Sequence, residues 1–457
     1  MNLPNYFLAD LPPEATLTPA IVTEACQALK HNRQHYLAER PTESVIEALA
    51  EAAKNWLEPD DPIRQLALRL GPQATGFPVE VLASGLDAFF SALTAESLEA
   101  VVTQDLGDMH RLERMTAEAG VQGADRAALV HGPQLLVHVT GGLLPNPALT
   151  SMVLGLLAHS AQFVKCASGT SLIPRLFGHS LHQCEPKLGA CLEIAEWKGG
   201  AEALEAALFA EAECVTATGE DATLAALRQR MPPNTRFVGY GHRVSFGYVA
   251  GEVLSAFAAQ KVAGRAARDV ASWNQLGCLS PHVIYAETGG RITPERFAEL
   301  LATELASLEQ TCPRGPLPPP AAAAIASRRF FYGVRAANSP DTRLWCSPDS
   351  TAWTVVYENE PLFQTSCLNR FVYVKAVADL TQALQGAAPV SGQVSTVGLA
   401  ALGNKAQALA TQLARWGATR VCPLGQMQNP PLAWRHDGRP SLGDLVTWTD
   451  WEVQARL

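Results

Sequence analysis

The sequence contains no CxxC pair and no group of cysteine and histidine at zinc-finger spacing. Its ten cysteines are Cys26, Cys166, Cys184, Cys191, Cys214, Cys278, Cys312, Cys346, Cys367 and Cys422. Their irregular spread excludes a dithiol redox motif and a structural zinc site, and no metal is expected. Thiols scattered along so long a chain point to a reducing compartment. No block of like charge occurs: 35 Lys and Arg stand against 44 Asp and Glu, for a net charge of −9. A nucleic-acid footprint is thereby excluded. The longest apolar run, residues 148–164, is interrupted by Thr150, Ser151, His159, Ser160 and Gln162, so a membrane span is not expected. The start, Met1-Asn2-Leu3-Pro4-Asn5, has neither a basic region nor an apolar run, and a cytoplasmic location is expected. No internal repeat of solenoid period is present.

What is present is a chain of 457 residues, 47% hydrophobic and 17% charged. That length can bury a large core without disulfide or metal staples, and it suggests about three domains. Residues 1–120 read as mainly helical, with apolar residues recurring at three and four as in Val45-Ile46 and Leu49-Ala50. From Arg126 short β-like runs alternate with helices: strands near 127–130, 135–139, 162–165, 213–217 and 236–241, and helices near 148–160, 172–181 and 221–231. Such alternation implies βαβ units and a parallel sheet. Residues 121–265 are read as a cofactor-binding α/β domain. A second α/β domain, 266–425, begins with a helix over 270–278. It continues through a strand at 281–286, a helix at 294–308, a proline-rich loop at 313–320, a helix from Ala321, strands at 353–357 and 371–374, and a last unit at 394–422. The tail, 426–457, carries Trp434, Trp448 and Trp451 and is expected to dock on another surface.

Four constellations could carry chemistry. In Ser272-Trp273-Asn274-Gln275-Leu276-Gly277-Cys278-Leu279-Ser280-Pro281 a polar helical stretch leads through glycine to a thiol. Backbone N–H groups free at such a junction could lower its pKa and make it a nucleophile; a buried structural cysteine is the alternative. Asn146, in Gly141-Gly142-Leu143-Leu144-Pro145-Asn146-Pro147, opens a helix. Its amide could face a developing oxyanion, or it could simply cap the helix. Thr218 and Gly219, in Thr216-Ala217-Thr218-Gly219-Glu220-Asp221, lie where a strand turns into a helix, a place that suits a pyrophosphate. The full GxGxxG fingerprint is absent, and Glu220 and Asp221 would repel phosphate. Lys165, followed by Cys166-Ala167-Ser168, ends a strand where α/β sheets bind ligands. His179 and His182, one helical turn apart, lack a carboxylate partner and read as surface histidines.

The order of these features resembles the aldehyde dehydrogenase superfamily. More closely, from about residue 125 onward, the chain resembles the acyl-CoA reductase or long-chain acyl-protein thioester reductase family, the fatty acid reductase of bacterial bioluminescence. Three blocks carry this: Asn274 to Pro281, Tyr240-Gly241-His242-Arg243-Val244-Ser245-Phe246, and the tail with Trp434-Arg435-His436-Asp437-Gly438, Leu445-Val446, Trp448 and Asp450. The resemblance implies an α/β fold of the aldehyde-dehydrogenase type: two Rossmann-type parallel-sheet domains, cofactor and catalytic, plus a small oligomerisation element formed by the tail.

It also implies roles. Cys278 attacks an acyl thioester, Asn146 and the Cys278 N–H form the oxyanion hole, and hydride reduces the Cys-bound acyl group to an aldehyde. Lys165 and Ser168 hold the adenine ribose, Thr218 and Gly219 line the pyrophosphate, and Gly241 belongs to the cofactor site. Glu358 or Glu360, in Tyr357-Glu358-Asn359-Glu360-Pro361, grips the nicotinamide ribose. Oxidising members carry a glutamate base in the segment that here reads Tyr240-Gly241-His242-Arg243. Its absence fits a reductase, which must keep water off the acyl-enzyme. The Lys165 box also lacks its glutamate, which leaves room for a 2′-phosphate and favours NADPH over NADH. Fatty acyl-CoA, an acyl carrier protein or an acyl-protein synthetase are the expected partners, and a homo-oligomer is expected. An oxidising dehydrogenase of the same fold and a non-catalytic acyl-binding subunit are the alternatives.

Overall fold

Threonine and proline start the first α-helix, Pro19–Tyr36. Thr18 accepts a hydrogen bond from the Ile21 N–H (3.3 Å) and Pro19 takes the first helical position. The computed structural model describes residues 3–12, 14–117 and 126–452. The expected boundary at 120/121 lies outside the described residues. The chain divides into two compact units, one of Met1–Thr75, Leu86–Gly241 and Pro431–Leu457, the other of Gly76–Gly85 and His242–Pro430.

In the first unit the helices Pro19–Tyr36, Thr42–Leu57, Pro62–Thr75 and Ala95–Leu106 account for the helical periodicity of the N-terminal region. They share the unit with a five-stranded parallel sheet. The strand order across that sheet is Leu192–Glu196, Ala161–Cys166, Leu135–Thr140, Cys214–Thr218, Arg236–Tyr240. The central strands are buried on both faces, as near-continuous apolar runs in parallel sheets are. The run at 127–130 is a strand, but it does not join this sheet. Arg126–His131 pairs antiparallel with Thr116–Ala117 and with the tail strand Thr447–Glu452. The tail strand is exposed at every position.

The second unit holds a seven-stranded sheet, in the order Thr342–Cys346, Thr354–Glu358, Phe371–Val377, Pro281–Glu287, Val244–Val249, Val394–Ala400, Arg420–Pro423. Only Thr342–Cys346 runs antiparallel. Helices Ala258–Ala271 and Pro294–Thr311 bury one face of this sheet, and Pro319–Asn338 and Gly403–Trp416 the other.

Two expectations shift. The boundary expected at 265/266 falls at 241/242, because Val244–Val249 pairs with Pro281–Glu287 and Val394–Ala400. The helix expected over 270–278 ends at Ala271, just before a left-handed turn at Trp273, Asn274 and Gln275. No single described helix is long and apolar enough to cross a membrane.

Candidate active site

The first sheet grows outward from Leu135–Thr140 to Leu192–Glu196, then returns to place Cys214–Thr218 on the other side of Leu135–Thr140. At such a reversal the carboxyl ends of the strands open a crevice for ligands. Parallel register gathers most of the expected cofactor residues at that edge. Thr140 pairs with Cys166, and Thr218 with Tyr240. Gly141 N–H points at Thr218 Oγ1 (3.4 Å), and Thr140 Oγ1 donates to Lys165 O (3.4 Å). Lys165 is buried with Nζ 5.8 Å from the Trp197 ring centre, and burial lowers its pKa. Ser168 is exposed just past the strand end.

A dinucleotide fits these residues. A Cβ on Gly219 would meet only Thr223, at 4.0 Å, so the chain's own packing leaves room for close approach. The helix Asp221–Arg230 starts without a side-chain cap from Glu220, and a helix start of this kind suits an anion. Gly241 has a different explanation. A Cβ there would lie 2.1 Å from Asp221 Oδ1, so glycine lets that exposed carboxylate pack against the backbone. Asp221 thus turns its carboxylate toward Gly241, and the segment that lacks a carboxylate of its own has one packed against it.

Asn146 is the first residue of the helix Asn146–Leu157. Pro145 occupies the cap position, and no side-chain cap bond forms. Its Oδ1 is buried without a hydrogen-bond partner. The capping alternative is therefore removed, and a buried amide oxygen is left without a donor, which is unfavourable unless a ligand supplies one.

In the second unit, Cys278 alone among the ten cysteines is exposed. Burial pushes Cys26, Cys166, Cys191 and Cys214 up to about 12 and Cys422 up to about 11, which suppresses their thiolates at neutral pH. The residues before Cys278 are not helical. Trp273, Asn274 and Gln275 take φ of 49°, 51° and 65°, a left-handed turn that costs about 1–2 kcal/mol per residue. A second such turn, Leu368, Asn369 and Arg370 (φ 59°, 54° and 66°), lies just before the strand Phe371–Val377. The two are joined through buried side chains: Arg370 Nε donates to Asn274 Oδ1 (3.2 Å), and Gln275 Oε1 accepts from Phe371 N–H (2.8 Å). Strain that persists in this way is typical of functional loops. Beyond the turn, Ser245 Oγ donates to Cys278 O (2.7 Å), and Gln428 Nε2 donates to Ser280 Oγ (2.7 Å).

His282 begins the next strand. Its Nδ1 accepts from Ser366 N–H (3.1 Å), so its proton sits on Nε2. Burial and the nearby charge of His242 lower its pKa to about 4. Glu358 and Glu360 differ in their surroundings. Lys375, fully buried, donates to both carboxylates at 2.5 Å. Glu358 is also buried and is ion-paired with Arg335 at 3.0 Å. The Glu360 side chain is 33% exposed. His179 is not a surface residue. It is buried and meets both Asp10 oxygens at 3.0 Å.

The sequence pattern of the family "Acyl-CoA reductase (LuxC)" matches residues 37–448. The chain belongs to that family, and the match begins well upstream of residue 125. That family is one of acyl-CoA reductases. Among solved structures it is similar to the bifunctional proline utilization A protein, at 16% identity and TM-score 0.71 over 97% of this chain. The chain spans 46% of that protein's length. It is also similar to a putative aldehyde dehydrogenase from Anabaena variabilis, at 13% identity and TM-score 0.67 over 97% of this chain and 95% of the other. A third similar structure is the Delta-pyrroline-5-carboxylate dehydrogenase from Mycobacterium tuberculosis, at 15% identity and TM-score 0.67 over 97% and 84%. At such identities the likeness shows the fold, which is that of the aldehyde dehydrogenases. No curated protein sequence matches significantly.

Reading the sequence alone missed the left-handed turns, Arg370, Lys375 and the turn of Asp221 toward Gly241. One signal was available. Asn274 and Asn369 are of a residue type enriched at positive φ, and each sits just before a strand.

Proposed function

We propose that the chain reduces a fatty acyl thioester, acyl-CoA or an acyl-carrier or acyl-protein donor, to the aldehyde through an acyl group held on Cys278. The observation that carries this is the single exposed thiol among ten, at the apex of a loop held in a strained form. The Cys278 sulfur attacks the thioester carbonyl. The bond to the donor sulfur breaks, and the donor leaves as a thiol with the proton that Cys278 gave up. Asn146 and the Cys278 N–H are assigned to the oxyanion. A bound nicotinamide supplies the hydride to the carbonyl carbon. The bond to Cys278 then breaks, which frees the aldehyde and returns the thiolate.

Lys165 and Ser168 are assigned to the adenine ribose, and Thr218 and Gly219 to the pyrophosphate. Of the two candidate acids, Glu360 is the one assigned to the nicotinamide ribose, because its side chain is partly exposed whereas that of Glu358 is buried. NADPH is the cofactor this reading favours. The Lys165 box carries no carboxylate. Glu196, at the same sheet edge, is already taken by Gly169 N–H (2.6 Å) and Ser171 Oγ (2.5 Å). The exposed tail strand is assigned to a homo-oligomer contact, and the protein to the cytoplasm.

Purified chain with NADPH and acyl-CoA tests the reading. Nicotinamide absorbance should fall, more slowly with NADH. A flat trace with several acyl lengths and with an acylated carrier would sink it. The carboxylate of Asp221 beside Gly241 favours a second reading, oxidation of the aldehyde to the acid. Carboxylic acid formed from aldehyde and NADP+, and lost in Asp221→Asn, is the outcome that reading requires.

A further inference from the structure

We propose that Gln275 is a positioning residue. Its side chain closes the loop 276–280 at its base and thereby holds the Cys278 thiol for acyl transfer, with Arg370 supporting it through Asn274. This rests on the assignment of Cys278 as the nucleophile.

The argument starts from a proline. Strands Pro281–Glu287 and Phe371–Val377 are paired from Val283 and Tyr373 onward. Two residues earlier in the same register stand Pro281 and Phe371. Pro281 has no N–H and cannot complete a rung there. The Gln275 carboxamide replaces it. Its Nε2 donates to Phe371 O (2.8 Å) and to Pro281 O (2.8 Å), and its Oε1 accepts from Phe371 N–H (2.8 Å). Gln275 is completely buried, so these bonds are not in competition with water. They tie residue 275 to residue 281 and both to the neighbouring strand, with Cys278 midway between them.

The left-handed turn aims the carboxamide inward, and it too is anchored. Asn274 Nδ2 donates to Arg314 O (2.9 Å) while its Oδ1 accepts from Arg370. Arg370, fully buried, is held by Glu309 Oε2 and Cys312 O, both at 2.9 Å. Trp273 fills the space over Gly85, where a Cβ would come within 2.0 Å of its ring. A nucleophile reacts fast when its approach is fixed in advance, and a displacement of about an ångström can lower a rate on the order of a hundredfold.

The test uses the full chain and two variants. Gln275→Met keeps length and volume but loses all three bonds. Asn274→Gly keeps the left-handed turn, which glycine adopts freely, but loses the link to Arg370. Acyl transfer from acyl-CoA to Cys278 is followed by intact-mass spectrometry. Alkylation of Cys278 by iodoacetamide is followed by peptide mapping, and thermal melting is measured in parallel. Gln275→Met should lose acyl transfer by roughly a hundredfold and Asn274→Gly by roughly tenfold. Both should melt cooperatively and alkylate at close to the native rate, because a small reagent does not need an aimed thiol. Acyl transfer that stays native in Gln275→Met, or that falls only in step with alkylation and melting, overturns the proposal. Native acyl transfer in Asn274→Gly removes Arg370 from it. Absence of any acyl group on Cys278 in the native chain instead defeats the functional reading itself.

Discussion

The two sheets use opposite ends. In the first, Lys165, Thr218, Gly219 and the start of the helix Asn146–Leu157 all lie at or just beyond the carboxyl ends of parallel strands. In the second, Cys278 precedes the strand Pro281–Glu287 and so stands at the amino ends. The difference matters because helices begin at carboxyl ends and finish at amino ends of parallel strands. A carboxyl edge therefore offers free N–H groups and positive dipole ends without special construction. An amino edge offers neither. There the site is built from particular side chains: Gln275 in place of a proline's missing N–H, Asn274 and Arg370 bridging two left-handed turns, and Ser245 on the Cys278 carbonyl. On the proposed assignment, the cofactor edge rests on generic backbone geometry, whereas the Cys278 loop rests on a few specific side-chain contacts.

The largest expected effect tests the amino edge. Cys278→Ala should leave no acyl-enzyme by mass spectrometry, while Cys166→Ala, at a buried thiol whose pKa burial raises, should retain it. Next comes the amide at the carboxyl edge. Asn146→Ala should lower acyl-transfer rate by about 10²–10³, the usual loss of an oxyanion donor. Its melting temperature should hardly change, since Asn146 caps nothing; a large loss of stability with little loss of rate would reverse the assignment.

Acid separates the units by their buried histidines. Burial lowers His138 and His159 in the first unit, and His282 in the second, to about 4. A folded pKa below the unfolded value of about 6.5 means that the unfolded chain binds more protons in this range. Stability is then full above pH 6.5 and declines as pH falls toward 4, by up to about 3 kcal/mol per histidine. Denaturant titrations across that range should show a shallower decline in His282→Gln than in the native chain; parallel curves would show that His282 takes up its proton as readily in the folded chain as in the unfolded one.

The smallest effect compares two glycines. Gly219→Ala should fold normally and raise the KM for the nicotinamide cofactor by about tenfold, a loss of roughly 1.4 kcal/mol. Gly241→Ala, which need only push the exposed Asp221 carboxylate aside, should instead leave that KM near native and lower the melting temperature slightly. If both changed only stability, Gly219 would have no part in cofactor approach.

Much of the fold was legible because it is written in local patterns. Short apolar runs alternating with helical periodicity marked the parallel strands of both sheets, and Lys165 and Gly219 fell at the expected edge. Pairing was less legible. The run at 127–130 reads as a strand equally well in either sheet, and only its partner Thr447–Glu452, more than three hundred residues away, decides which one it joins. The segment 244–249 was missed as a strand because it follows another strand with no helix between them.

The sequence by itself determined the class of chain, the alternation of elements, and the short set of residues from which a nucleophile and an oxyanion donor could come. It could not rank ten cysteines, choose between Glu358 and Glu360, or foresee that a helix would stop at Ala271. Those choices depend on burial and on contacts between residues far apart in the chain. Only the folded chain leaves Cys278 exposed while burying Cys166, and only there does Lys375 engage Glu358 within the core. The turn before Cys278 is tolerated because Arg370 and Phe371, nearly a hundred residues later, supply the bonds that hold it.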